Sequence, residues 1–298
     1  MEKGLAIIGA GRVGRALGRQ LCRLGWKIGA VVTRSEASAR RAVRFMGAGR
    51  PHGRLMRQVL ASPVILIATP DDQIARVAQE LARIGAEELR GKIVLHTSGA
   101  LDSRVLQAVK VHGAAVGSMH PLQSFSGVAV PSLEGKVFAV EGDAGAIRVA
   151  RRMARSLGGA PVRIAAGKKA LYHAAAAMAA GHVLAVEEAA TQLLVAVGMQ
   201  RNEAVRALLP LTRQVLENFE RIGPGAAWTG PLSRGDYGVV GAHLAALVES
   251  PKEFAEAYEG LNRLAARVLA RDAAGMLAEL EKIRPRNNSR AKSIGGSA

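Results

Sequence analysis

Apolar positions in the first half of the chain follow two rhythms. Short continuous runs at residues 5–9, 27–33, 64–69, 93–96, 114–118, 137–141 and 162–165 read as buried strands. Between them, apolar residues at helical spacing predict helices over 13–24, 36–45, 73–84 and 146–157. Strands alternating with helical stretches of this length make βαβ units, hence an α/β fold with a doubly wound parallel sheet of the Rossmann type.

From Gly167 onward the strand rhythm stops. Residues 168–197 form one long helical stretch without proline, and Gly198 is a fitting stop. Ala, Leu and Val occupy all of its faces, so it is expected to be buried on most sides. Further helices are predicted over 202–221 (with Pro210 inside), 239–248, 253–270 and 273–283, interrupted by a Gly- and Pro-rich loop at 223–238. The polar, basic end, 284–298, reads as a disordered tail. The expected organisation is a nucleotide-binding domain over 1–165, an all-helical domain over 166–283 and the tail.

Composition narrows the classes. A chain of 298 residues suits two domains, and 49% apolar residues supply their cores. Aromatics at 3% argue against a stacking platform for single-stranded nucleic acid. One cysteine, Cys22, excludes a disulfide scaffold and a Cys-based zinc cluster, so no metal site is expected and a reducing cytoplasm fits. The longest alanine-rich run, 174–186, holds Gly181 and His182 and falls short of the ~20 apolar residues a membrane span needs. The opening apolar run is too short for a secretion signal. Charge is lopsided: of the net +17, residues 1–165 carry 25 basic and 11 acidic side chains. Such a field attracts either a phosphate-rich cofactor or nucleic acid.

The motifs favour the cofactor. Gly9-Ala10-Gly11-Arg12-Val13-Gly14 fits G-x-G-x-x-G between a strand and a helix, the context this dinucleotide-binding string requires. Gly9 permits the tight turn, Gly11 lets backbone approach a pyrophosphate, and Gly14 lets helix pack on strand. At the end of the second strand an NAD site carries an acid for the ribose hydroxyls; here Thr33-Arg34-Ser35 stands instead, suited to a 2′-phosphate and hence to NADP(H). Ala68-Thr69-Pro70 and Thr97-Ser98-Gly99 close later strands, where ligands bind in such sheets. Ser98 and Gly99 are therefore candidates for the nicotinamide or substrate. His120, before Pro121, either reaches the same crevice or is a structural histidine.

Lys169 and His173, four apart, share one helix face beside Tyr172. A lysine on so apolar a helix is costly unless paired or used, and its ammonium could protonate a carbonyl oxygen receiving hydride. Lys168 is the alternative. In the loop Thr229–Tyr237, Arg234 either clamps a substrate carboxylate with Asp236 nearby, or pairs with Asp236 to hold the turn.

These parts in this order resemble the superfamily in which a Rossmann domain precedes a helical domain like that of 6-phosphogluconate dehydrogenase, with β-hydroxyacid dehydrogenases, ketopantoate reductase, pyrroline-carboxylate reductase and prephenate dehydrogenase as members. The Lys169/His173 pair is similar to a catalytic lysine and asparagine of the hydroxyacid enzymes, with histidine replacing the amide. The segments His96–Gly99, His120–Phe125, Tyr172–Ala174 and Gly230–Asp236 are most similar to a bacterial family of Rossmann-like oxidoreductases whose C-terminal domain was of unknown function. The resemblance implies an NADP(H)-dependent oxidoreductase, of ketopantoate reductase type or acting on prephenate or imines. Lys169, His173, Ser98 and His120 would be catalytic, and Ser98, Gly99, Arg234 and Asp236 would hold substrate. A homodimer is expected, with no membrane or nucleic-acid partner. A binding-only NADP(H) sensor is the alternative that the histidine suggests.

Overall fold

In the computed structural model, residues 3–127 and 129–283 are described; the tail expected over 284–298 lies outside them. The chain divides into two compact units between His182 and Val183. The first carries β1 (Gly4–Ile8), α1 (Arg12–Arg23), β2 (Lys27–Val32), α2 (Glu36–Met46), β3 (Arg50–His52), β4 (Val64–Ile67), α3 (Asp71–Gly85), β5 (Ile93–His96), α4 (Gln107–Lys110), β6 (Ala115–Pro121), β7 (Val137–Gly142), α5 (Ala144–Ser156), β8 (Ala160–Arg163) and α6 (Lys169–Ala177). One eight-stranded sheet runs β3-β2-β1-β4-β5-β6-β7-β8, antiparallel only between β6 and β7.

Period-two alternation decides which residue goes to which side. Leu5 and Ile7 of β1, with Val64 and Leu66 of β4, join Leu17, Leu21, Phe138 and Met153 in one core layer. Ala6, Ile8, Ile65 and Ile67 point the other way, against Ile74, Leu81 and Val109. Both faces of the central strands are covered, which is why they read as unbroken apolar runs. β3 escaped the sequence pattern because it is only three residues long and holds Arg50 and His52. The β6–β7 connection crosses the outer face of α1, where Arg15 donates to the Gly127 carbonyl at 3.0 Å and Gln20 to that of Pro131 at 3.2 Å.

The long stretch expected over 168–197 is interrupted. After α6 comes a π-helical turn, Met178–His182, and then α7 (Val183–Ala196) opens the second unit. The contact boundary therefore falls past α6, because Lys169 is pinned into the first unit. The second unit continues with α8 (Arg201–Ile222), α9 (Pro224–Ala227), α10 (Tyr237–Ala246), α11 (Lys252–Leu269) and α12 (Ala273–Lys282). Leu232, Val240, Ala266 and Leu280 form its small core. The expectation that the long helical stretch is buried on most sides is corrected: Leu171 is 70% and Leu184 71% exposed. A core so small has no apolar surface left to cover Leu184. None of the described helices is long and apolar enough to cross a membrane.

Candidate functional site

β1, β4, β5 and β6 are mutually parallel, so their C-terminal ends share one edge of the sheet. The strand order reverses between β1 and β4, the place where such sheets open a crevice for ligands. At the end of β1, Gly9 has φ +90°, and a Cβ there would meet the Ala68 and Thr69 backbone at 2.6 Å. A Cβ on Gly14 would collide with the Gly9 carbonyl, whereas Gly11 has nothing within 4 Å of its own. Two glycines thus close the turn onto β4 and the third leaves an open approach. Arg12, Val13 and Gly14 begin α1, whose leading N–H groups have no intrahelical acceptor, and its first turn holds no acid. Beside the turn, the Thr69 hydroxyl is buried without a partner, between Ala68 and Pro70. An orphaned donor, an open glycine and a bare helix start suit a pyrophosphate.

At the end of β2 the Thr33 hydroxyl donates to the Ser35 carbonyl at 2.8 Å. Ser35 caps α2, its Oγ accepting from the Ser38 N–H. Arg40 is paired with Glu36 and Arg41 donates to Ser38. Exposed Arg34 has no partner among the described residues, so it is a cation free to meet a phosphate here.

A dense network fills the ends of β5 to β7. His96 accepts from the Ser98 N–H at Nδ1, which leaves Nε2 to donate to the Asp102 carbonyl at 3.3 Å. Burial, aided by the Lys169 charge, lowers its pKa to about 4, so it is neutral at pH 7. The Ser98 hydroxyl donates to Asp71 at 2.7 Å and accepts the N–H groups of Ala100 and Leu101. That hydroxyl is committed to its loop, and the Ser98 carbonyl is what meets Lys169. Glu141, on β7 and 5% exposed, accepts both the N–H and the hydroxyl of Ser103.

Lys169 enters from α6. It is 1% exposed, its Nζ donates to the Ser98 carbonyl at 2.8 Å, and the ammonium stands 5.7 Å from the Tyr172 ring centre. Burial lowers its pKa to about 8, opposed by the charges of Glu141, Asp71 and Asp102. Lys168 is exposed, which separates the two sequence candidates. His120 bonds the Tyr172 hydroxyl at 2.9 Å, and its ring stands edge-to-face to His173 with centres 5.5 Å apart. Burial, then the charges of Lys169 and His173, lowers the His120 pKa to about 4, while burial pushes Tyr172 up to about 12. Nδ1 of His173 is buried with no partner. Gly99 lies under both histidines: a Cβ there would press on the His173 ring and stand 2.9 Å from Nε2 of His120.

The structure therefore brings together Ser98, Gly99, His120, Lys169 and His173. Arg234 and Asp236 belong to the second unit, where they pair with each other at 3.0 Å. Among the described residues no cluster of His, Cys, Asp and Glu could hold a metal. Sequence reasoning met Asp71 and His96 within strand-end motifs without giving them a role, and passed over Glu141; the available signal for Glu141 was an acid inside an otherwise apolar strand. A buried ammonium near neutrality, beside neutral imidazoles and a phosphate-ready turn, is equipped to deliver a proton next to a bound dinucleotide.

Residues 2–121 match the Rossmann-like domain family, and residues 136–265 match the family named domain of unknown function DUF2520. No curated protein matches the chain. Among solved structures, an inferred NADP oxidoreductase from Bacteroides fragilis is 22% identical, with a TM-score of 0.71 over 88% of this chain and 97% of that one. A protein of Thermotoga maritima is 25% identical, with 0.66 over 89% and 97%. A reductive aminase from Aspergillus terreus, solved with NADPH and ethyl-5-oxohexanoate, is 20% identical, with 0.68 over 95% and 100%. These likenesses agree with the sheet order and the helical second unit. The chain thus matches the Rossmann-like family over its first part and the DUF2520 family over its second.

Proposed function

We propose that the protein is an NADP(H)-dependent oxidoreductase that reduces the carbonyl of a small keto acid, with 2-dehydropantoate as the leading substrate. The observation that carries this reading is Lys169: a buried ammonium, held by the Ser98 carbonyl, at the edge of the sheet that carries the glycine turn. Gly9, Gly11, Gly14 and the start of α1 would hold the pyrophosphate, Thr69 would satisfy its hydroxyl there, and Arg34 would meet the 2′-phosphate. When bound, the nicotinamide supplies the hydride. Lys169 holds the proton for the substrate oxygen, and its pKa of about 8 keeps it charged at neutral pH yet acidic enough to give the proton up. His173, with an unpartnered Nδ1, and His120 offer polar contacts to the substrate. An unpaired Cys22 fits a reducing, cytoplasmic setting.

Reduction of an imine is the second reading, favoured by the likeness to the reductive aminase. NADPH oxidation measured against 2-dehydropantoate, other keto acids and cyclic imines decides between them. Lys169→Ala should lower kcat by ~10²–10⁴, the usual contribution of a general acid, while the NADPH Kd stays within about twofold. NADPH binding without turnover on any compound would favour a sensor. No binding of either pyridine dinucleotide would end the proposal.

We also propose that the chain works as a homodimer. Leu211 (62%), Leu216 (56%) and Phe219 (56%) of α8 are exposed in addition to Leu184 of α7, more apolar surface than monomers usually present.

A further inference from the structure

α1 has a second charged feature besides its start. Arg12, Arg15, Arg19 and Arg23 fall on one stripe of the helix and line a cavity of about 260 Å³, with Phe45 of α2 on one side and Phe125 of the β6–β7 connection on the other. The stripe spans twelve residues, ~16 Å of helix from first to last. Arg15 and Arg19 are fixed: their guanidinium groups lie 5.0 and 4.8 Å from the centre of the Phe45 ring. Arg15 is further tied to the Gly127 carbonyl. No carboxylate lines the cavity, and among the described residues none of the four arginines has an acidic partner. Four like charges held within so short a length repel one another, and a bound anion would relieve them. The groove runs from the glycine turn toward Arg23 at the far end of α1, and Phe45 stands at the far end of α2, away from the Thr33–Ser35 corner.

We propose that this groove, beyond the dinucleotide turn that it shares only through Arg12, is a second anion site centred on Arg15, Arg19 and Arg23 that takes a chain of two or three phosphoryl groups. The cavity lies just under the ~300 Å³ at which ordinary small-molecule pockets begin, which suits a short chain of phosphates and not a duplex or a folded partner. Arginine forks spaced a turn apart match successive phosphate oxygens in pairs. A second arginine group on α5, with Arg148, Arg151 and Arg155 beside Arg163 of β8, borders a cavity of about 400 Å³. No aromatic ring borders that cavity. It serves as the control for diffuse charge. The proposal does not depend on the redox reading.

Titration calorimetry on the full chain tests it, with inorganic tripolyphosphate and ATP as separate probes, each in the absence and presence of NADP+. One saturable site is expected, retained when NADP+ is present. Arg19→Gln/Arg23→Gln should weaken it about tenfold, the loss of two screened charge-assisted contacts. Arg148→Gln/Arg155→Gln should leave it within about twofold. Arg23→Gln alone, on an exposed side chain, covers the case in which the double variant misfolds, and should still weaken binding severalfold. Tighter binding of ATP than of tripolyphosphate assigns the chain to a nucleotide, and the reverse to inorganic polyphosphate. Absence of saturable binding, abolition by NADP+, or equal loss in the α1 and α5 variants overturns the proposal. If NADP+ itself does not bind, the cofactor reading fails while this site stands.

Discussion

Lys169 carries two opposite pH dependences. As proton donor it must be charged, so turnover should fall as pH rises through about 8. Stability should move the other way. An unfolded lysine keeps its proton to pH 10.5 and the folded one releases it near 8, so between those values the unfolded chain binds more protons and the fold gains. The gain is on the order of 3 kcal/mol, and urea melts at pH 8 and 10 should reveal it in the wild type but not in Lys169→Met. Parallel behaviour of the two proteins would reject a buried ammonium. Gly99→Ala probes the same place sterically. Its methyl would enter the space of the His120 and His173 rings. Turnover should drop by ~10² with a stability loss of ~1–3 kcal/mol; a fully active variant would move the reaction elsewhere. The three glycines of the first turn could be named from sequence because their spacing is a local string, even though Gly9 closes onto the backbone of Ala68 and Thr69. Lys169 could not be separated from Lys168, because what buries it is the carbonyl of Ser98, 71 residues away. Glu141 stood out only as an acid in an apolar strand; its partner Ser103, 38 residues away, could not be named from the sequence.

At the level of elements, the proposed reading gives the choice of cofactor to the β2–α2 corner. Ser35 is spent on capping α2 and Thr33 on the Ser35 carbonyl, so that reading assigns discrimination to Arg34. Arg34→Asp should cut the preference for NADPH over NADH by ~10-fold or more, read as the ratio of Kd values. An unchanged ratio would place the 2′-phosphate on another side chain. Most strands and helices were legible to within a few residues because each is buried on one or both faces and obeys period 2 or 3.6. β3 was not, being short and polar. The π-helical turn at Met178–His182 was not legible either. Its Ala-rich sequence is compatible with a plain α-helix, and none of its five residues is buried, so no apolar pattern marks the wider turn.

For the whole molecule, association is the property most open to test. Leu211→Glu/Phe219→Glu places two charges on the exposed apolar side of α8. Light scattering after gel filtration should give a dimer for the wild type and a monomer for the variant, because an interface cannot hold unpaired charges cheaply. A wild type that remains monomeric would end the dimer reading. The excess charge of the first 165 residues has no counterpart in the helical half. Arg12, Arg15, Arg19 and Arg23 of α1 and Arg148, Arg151 and Arg155 of α5 gather part of it into two stripes. The bond from Lys169 to Ser98 has one more consequence, for biosynthesis. A ribosome delivers the strands around the glycine turn well before residue 169 leaves its exit tunnel, and N-terminal parts fold first. If Lys169 is the proton donor, as proposed, a copy whose translation halts between α5 and α6 would hold the glycine turn and its core without the acid, and would sequester coenzyme without consuming it.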